Sequence, residues 1–166
     1  MYFSKVHSGE IGEELTKIMN IRKASLDELA KIHNQIGELS TIAGSDYFSE
    51  RIGAKERLAL IAEINGVPVA YKLGYWLAPD IFYSWLGGVL PAYRQQGIAK
   101  KLLLEQEQRV FELGAKEIRV KSMNRYKSML LLLIAQDYVI TGTENFNEGE
   151  VKILFSKFKK DWLSRL

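Results

Sequence analysis

The sequence contains no cysteine, which excludes disulfides, thiolate nucleophiles, cysteine-ligated zinc and iron–sulfur clusters. Histidine is almost as scarce. His7 and His33 stand far apart, so there is neither an HExxH pair nor an imidazole cluster. Carboxylates alone can hold a hard cation, but no acidic motif asks for one, and no metal cofactor is expected. Long apolar runs are also missing. The longest, residues 129–135, falls far short of the roughly 18 residues that cross a bilayer. Residues 1–5 lack the basic region and apolar segment of a signal peptide, so the expected location is the cytoplasm. Charge of one sign is small too: 23 Lys and Arg against 20 Asp and Glu give +3. That is too little to imply a nucleic-acid partner, and the basic C-terminal stretch (Lys152, Lys157, Lys159, Lys160, Arg165) reads as solvated surface. Neither nucleic acid nor a membrane is expected as a partner.

What remains is an ordinary globular composition. The 166 residues are 47% hydrophobic and 26% charged, too apolar for disorder and enough for one domain over residues 1–166. A short strand is predicted over Met19–Lys23. Ser25 followed by Glu28 is a capping box, and Leu26, Leu29, Ala30, His33 and Ile36 trace a helical stripe ending at Gly37. A second helix is predicted over residues 45–53. The period then changes. Arg57–Ile64 and residues 67–76 read as strands joined at Asn65-Gly66, a type I′ hairpin signal. Pro79-Asp80 breaks the chain before a third, aromatic strand over Ile81–Val89. A long helix follows over residues 97–113, with Gly114 as its stop and Ala99, Leu102, Leu103, Val110 and Leu113 as its core stripe. A strand over residues 117–122, a buried helix over 127–136 and strands over 138–143 and 151–158 complete an α/β architecture. It is a mixed, mostly antiparallel sheet flanked by helices on both faces.

The chemistry concentrates where the aromatic strand gives way to the long helix, at Val89-Leu90-Pro91-Ala92-Tyr93-Arg94-Gln95-Gln96-Gly97-Ile98-Ala99-Lys100-Lys101. A helix's first turn has up to four unpaired N–H groups and about half a positive charge, so it attracts phosphate. Gly97 and Ala99 lack bulk, and Arg94 adds a charged donor beside them. Lys100 and Lys101 oppose the helix dipole by roughly 0.3–1 kcal/mol each, and a bound polyanion would reverse that sign. There is no GxxxxGK[ST] and no GxGxxG, which leaves nucleoside triphosphatases and dinucleotide enzymes unsupported.

Arg94-Gln95-Gln96-Gly97-Ile98-Ala99 resembles the [RQ]-x-x-G-x-[GA] pattern of the GNAT acyl-CoA-dependent N-acetyltransferases. The strand before it, the long helix, the next strand ending at Met123-Asn124 and the later helix extend the resemblance along nearly the whole chain. It implies a GNAT-type fold and transfer of acetyl from acetyl-CoA directly to a primary amine, on a small molecule or a peptide, by a monomer or homodimer. It also implies that Gly87, Gly88 and Val89 pair with the pantetheine arm as an extra strand. The backbone of Gln95, Gln96, Gly97, Ile98, Ala99 and Lys100 holds the pyrophosphate, with charge from Arg94 and Lys100. Asn124 makes an amide contact to the arm.

In two places the sequence departs from that family. Several members carry a Glu in the middle of the aromatic strand as base, whereas Phe82-Tyr83-Ser84-Trp85 has no carboxylate and Tyr83 stands nearest the position. Many place a Tyr in the later helix to protonate the leaving thiolate. Here that site is Leu131 or Leu133, leaving Tyr126 and Tyr138 as spare hydroxyls. An acceptor pocket formed by Tyr47, Phe48, Tyr75, Trp76 and Trp85, with few carboxylates, suits a small amine or peptide terminus better than a polycation. The departures keep open a second reading, a CoA-binding regulatory domain without turnover.

Overall fold

A computed structural model describes residues 17–39 and 43–160. His7, residues 1–5 and Arg165 lie outside the described residues. In chain order the elements are β1 (Met19–Lys23), α1 (Leu26–His33), α2 (Ser45–Ile52), β2 (Arg57–Ile64), β3 (Val67–Ala78) and β4 (Ile81–Val89). They continue with α3 (Ile98–Glu112), β5 (Glu117–Met123), α4 (Lys127–Ala135), β6 (Val139–Asn147) and β7 (Glu150–Phe158). The seven strands form one sheet in the order β1-β2-β3-β4-β5-β7-β6. Every neighbouring pair is antiparallel except β4 with β5, which α3 connects as a crossover. The predicted mixed, mostly antiparallel sheet with helices on both faces is the one observed.

Alternation sets the two faces. In β2, Leu58, Leu60, Ala62 and Ile64 join the core under α3, while Ala59 and Ile61 join the core under α1 and α2. Both faces are covered, so the strand is apolar almost throughout rather than alternating with polar residues. Asn65 at φ 50° and Gly66 at φ 81° supply the two left-handed residues of the β2–β3 turn. Ser25 accepts from the Glu28 N–H at 3.2 Å and its own N–H donates to Glu28 Oε2 at 2.8 Å, closing the capping box of α1.

Four expectations about these elements need correction. Helix α1 stops at His33 rather than running to Gly37, because Asn34 turns its amide onto Ala43 instead: Nδ2 donates to the Ala43 carbonyl at 2.7 Å and Oδ1 accepts its N–H at 2.8 Å. Ala99 and Leu113 are exposed, so the core stripe of α3 is Ile98, Leu102, Leu103 and Val110. Helix α4 is apolar all round but only Leu133 is fully buried; Leu131 and Ile134 remain exposed. Strand β6 begins at Val139 and runs to Asn147, while Tyr138 turns into the core ahead of it.

Candidate functional site

The pairing of β4 with β5 covers only Ile81 to Ser84 against Glu117 to Val120. Beyond it, β4 stays beside β3 as far as Val89 opposite Ala70, and β5 stays beside β7 as far as Met123 opposite Lys152. The two strands therefore part, and residues 85–89 have no strand partner on their β5 side. A bulge accompanies the parting. Leu73 faces Leu86 and Gly74 faces Ser84, so Trp85 is an extra residue in β4. An extra residue bends the strand that carries it and raises the local twist. Gly74 makes room for this: a Cβ there would meet the Phe82 ring and lie 2.5 Å from the Tyr83 carbonyl oxygen.

The open segment leads directly into the loop singled out by sequence. The Leu90 N–H donates to the Val69 carbonyl at 2.9 Å, a short 3-10 turn spans Pro91–Tyr93, and Gln95 (φ 60°) and Gly97 (φ 77°) are left-handed. Among the described residues the N–H groups of Gln95, Gln96 and Gly97 donate to nothing in the chain. Helix α3 starts at Ile98 with no side-chain cap and no acid in its first turn. Its orphan donors are thus left for something else, as an anion site requires. Ile98 is buried and pins the turn, while Gln95, Gln96, Gly97, Ala99 and Lys100 are exposed around it. Gly97 has open space where a Cβ would stand.

Arg94 does not stand free. Its guanidinium grips Glu38 at 2.7 and 3.1 Å and donates Nε to the Val89 carbonyl at 3.1 Å. That pairing pushes the Glu38 carboxyl down to about 2. Asn124 is exposed just past the end of β5, on the other side of the split. With Met123, Arg125, Gly149, Glu150 and Val151 it lines a hollow of about 230 Å³. A larger hollow, about 320 Å³, sits at the Ala78–Pro79 end of the sheet beside Leu113, remote from Gly97, and carries one titratable side chain, Glu56.

On the α1/α2 face, Trp85 lies among aromatic rings: Tyr47 at 6.1 Å, Phe48 at 6.1 Å and Tyr75 at 5.9 Å between centroids. Arg51 stands over Trp85 and Lys55 over Tyr75, each 5.7 Å from the ring centre. Trp76 does not belong here; it faces α3 and packs on Phe82 at 5.5 Å. Tyr83, the base candidate, packs on Tyr75, and burial pushes its phenol up to about 12, the opposite of what a base at neutral pH requires. Of the leucines at the family's tyrosine position, Leu131 is exposed and Leu133 is buried. Tyr138 is buried with its hydroxyl unpartnered, and Tyr126 caps the start of α4 with Arg125 over its ring. Among the described residues no group of three or more His, Asp or Glu is placed to hold a metal ion.

Sequence reading passed over a polar cluster between the sheet and α3. Ser84 Oγ donates to Gln106 Oε1 at 2.6 Å, Lys157 pairs with Glu107 at 2.6 Å, and Lys72 is buried nearby. A signal existed: Gln106 lies three residues after Leu103 and four before Val110, a core position of the helix.

Residues 24–129 match the family described as Acetyltransferase (GNAT) family. No curated protein sequence matches the chain. Among solved structures, the ribosomal-protein-S18-alanine N-acetyltransferase from Escherichia coli superposes with a TM-score of 0.72 at 15% identity, over 84% of this chain and 92% of that one. The yncA protein from Salmonella typhimurium, solved with its cofactor acetyl-CoA, gives 0.66 at 17% identity over 84% and 93%. Arabidopsis thaliana NAA60, in complex with a bisubstrate analogue, gives 0.69 at 15% identity over 85% and 98%.

Proposed function

The chain belongs to the GNAT acetyltransferase family, and from that premise we propose that it is an N-acetyltransferase taking acetyl from acetyl-CoA to a primary amine. The observation that carries this reading is the continuity of an unpaired strand segment, residues 85–89, with a helix start whose N–H groups are unclaimed. The residues present suit a CoA ester. Open space at Gly97 admits a diphosphate against the backbone, and the left-handed φ there aims successive N–H groups outward.

When bound, acetyl-CoA supplies an activated acetyl group as a thioester. The chain's own residues do the rest. The N–H groups of Gln95, Gln96, Gly97, Ile98, Ala99 and Lys100 hold the diphosphate, with Arg94 and the Lys100 ammonium adding charge at its edge. Gly87, Gly88 and Val89 offer strand-type pairing to the pantetheine arm, and Asn124 offers its amide from across the split. An N–H on the β5 side of the unpaired segment is available to a carbonyl oxygen that gains charge. Tyr83 enters as a neutral hydroxyl, so the acceptor's proton leaves through solvent or a group of the substrate itself.

The aromatic ring cluster around Trp85 forms the acceptor side, and its charged neighbours Arg51 and Lys55 repel a polycation. The same reading takes a small-molecule or peptide amine as acceptor and the cytoplasm as the location, as a monomer or homodimer. No helix among the described residues is long and apolar enough to cross a membrane.

Thiol release from acetyl-CoA, measured against a panel of amines, tests the activity. Peptide N-termini and aromatic or apolar amines are expected to drive turnover, with polyamines at least about tenfold slower, since each like-charge contact costs about 1 kcal/mol or more near a surface. Rapid turnover of spermidine alone would contradict the acceptor assignment. The missing carboxylate on β4 and the two leucines favour the second reading, a CoA-binding domain without turnover. CoA binding with no thiol release across the panel would establish that reading in its place.

A further inference from the structure

Strand β3 carries a lysine where its neighbours are apolar. Tyr71 and Leu73 pack beneath α1 and α2, so Lys72 between them faces α3, in a position only 5% exposed. Among the described residues its ammonium makes no hydrogen bond and no ion pair. A buried ammonium without a partner is costly, and such groups are retained where something else meets them. Its strand neighbours are Leu60 on β2 and Gly87 on β4, neither of which carries charge. The side chain lies along Gly87: a Cβ on that glycine would stand 3.6 Å from Lys72 Cγ and 3.8 Å from its Nζ. The ammonium therefore borders the unpaired segment of β4, on the same face of the sheet as α3.

The charged groups around it do not neutralise it. Glu107 of α3 attracts it, but one Glu107 oxygen is taken by Lys157 of β7 at 2.6 Å and the other is buried without a partner. Tyr138 lies against Glu107, and burial keeps its phenol neutral. Burial lowers Lys72 to about 8, with Glu107 partly offsetting the effect, so at neutral pH most of it is still charged.

We infer that Lys72 is the cation that receives the sulfur of the departing coenzyme A thiolate, in the role left vacant by Leu131 and Leu133. This rests on the acetyltransferase reading above. As the acceptor nitrogen bonds to the acetyl carbon, the carbon–sulfur bond breaks and its electron pair leaves on sulfur. The Lys72 ammonium gives that sulfur its proton, and the neutral amine is recharged by the proton that the acceptor nitrogen sheds to solvent.

The test needs no acceptor. Coenzyme A bound to the full-length protein is titrated from pH 6 to pH 9 by the ultraviolet absorbance of its thiolate, with acetyl-CoA as the blank, in wild type and in K72M and K72Q. An alkyl thiol titrates near about 8.5. Beside a buried ammonium it is expected to titrate at least about one unit lower, giving roughly tenfold more thiolate at pH 7 in wild type than in K72M. Unchanged coenzyme A affinity of both variants at pH 6 is expected as well, because the thiol is then neutral. Equal thiolate titrations in wild type and K72M, with coenzyme A bound to both, would overturn the inference and leave the transferase reading intact. Loss of binding at pH 6 in both variants would overturn it too, since Lys72 would then be a structural or binding residue. Failure of wild type to bind coenzyme A would overturn both together.

Discussion

Gly97→Glu is expected to weaken coenzyme A binding by at least about a hundredfold, or about 2.8 kcal/mol, while the protein remains folded. Two effects act together. At φ 77° any side chain strains the backbone by roughly 1–2 kcal/mol, which distorts the turn that aims the N–H groups. The new carboxylate also stands where the diphosphate would dock, setting like charge against it at the helix terminus. Because nothing lies within 4 Å of a Cβ at Gly97, the fold has no clash to relieve. Gly97→Ala separates the two effects: it carries the strain without the charge and is expected to lose well under half of the binding free energy lost by Gly97→Glu. Calorimetry on both variants, with circular dichroism as the check on folding, decides the matter. Undiminished affinity in a folded Gly97→Glu protein would remove the loop from the site.

Gly74→Ala is expected to destabilise the fold by about 3 kcal/mol, the upper end of the usual cost of overpacking. The new methyl would lie 2.5 Å from the Tyr83 carbonyl oxygen, a backbone atom of the adjacent strand, besides meeting the Phe82 ring. Relief requires β3 and β4 to move apart at the bulge that sets Trp85 out, so coenzyme A affinity should fall along with stability. Gly37→Ala is the control: its Cβ would meet nothing and its φ is not left-handed, so stability should change by less than about 1 kcal/mol. Chemical denaturation of the two variants beside wild type gives the comparison, and equal stability of all three would show that the bulge tolerates bulk.

Local chemistry made most of this architecture legible. Asn65-Gly66 permits one tight hairpin, Ser25 with Glu28 caps one helix, and Gly97 permits one left-handed step before another, so the corresponding elements fall where their residues predict. What depends on tertiary contact was not legible. Asn34 ends α1 through a partner nine residues on, which no helical period encodes. Seven consecutive apolar residues in α4 cannot say which side meets the sheet, and Leu131 turned out bare. Trp76 resembles Trp85 as an aromatic, but alternation along β3 sets it on the face opposite Tyr75, with Phe82 and away from Trp85.

The site divides the same way. The loop proposed to hold phosphate is a contiguous backbone feature, so its residues can be read directly from the chain. The pairing of Arg94 with Glu38, distant in sequence, has no local signal. Tyr83 was the nearest residue to a missing base, and only its packing on Tyr75 under α1 and α2 reveals that its phenol is driven the wrong way. Lys72 is illegible for a similar reason: a lone lysine in a strand reads as solvent-facing until the helix above it is in place.

Backbone N–H groups between Gln95 and Lys100 are proposed to dock a diphosphate ester. Amide hydrogen exchange, resolved by residue with and without coenzyme A, tests it most directly. The amides of Gln95, Gln96, Gly97, Ile98 and Ala99 are expected to exchange markedly more slowly with the ligand present, together with those of Gly87, Gly88 and Val89. Slowed exchange elsewhere with these amides unaffected, or no change at any residue at saturating coenzyme A, would contradict it.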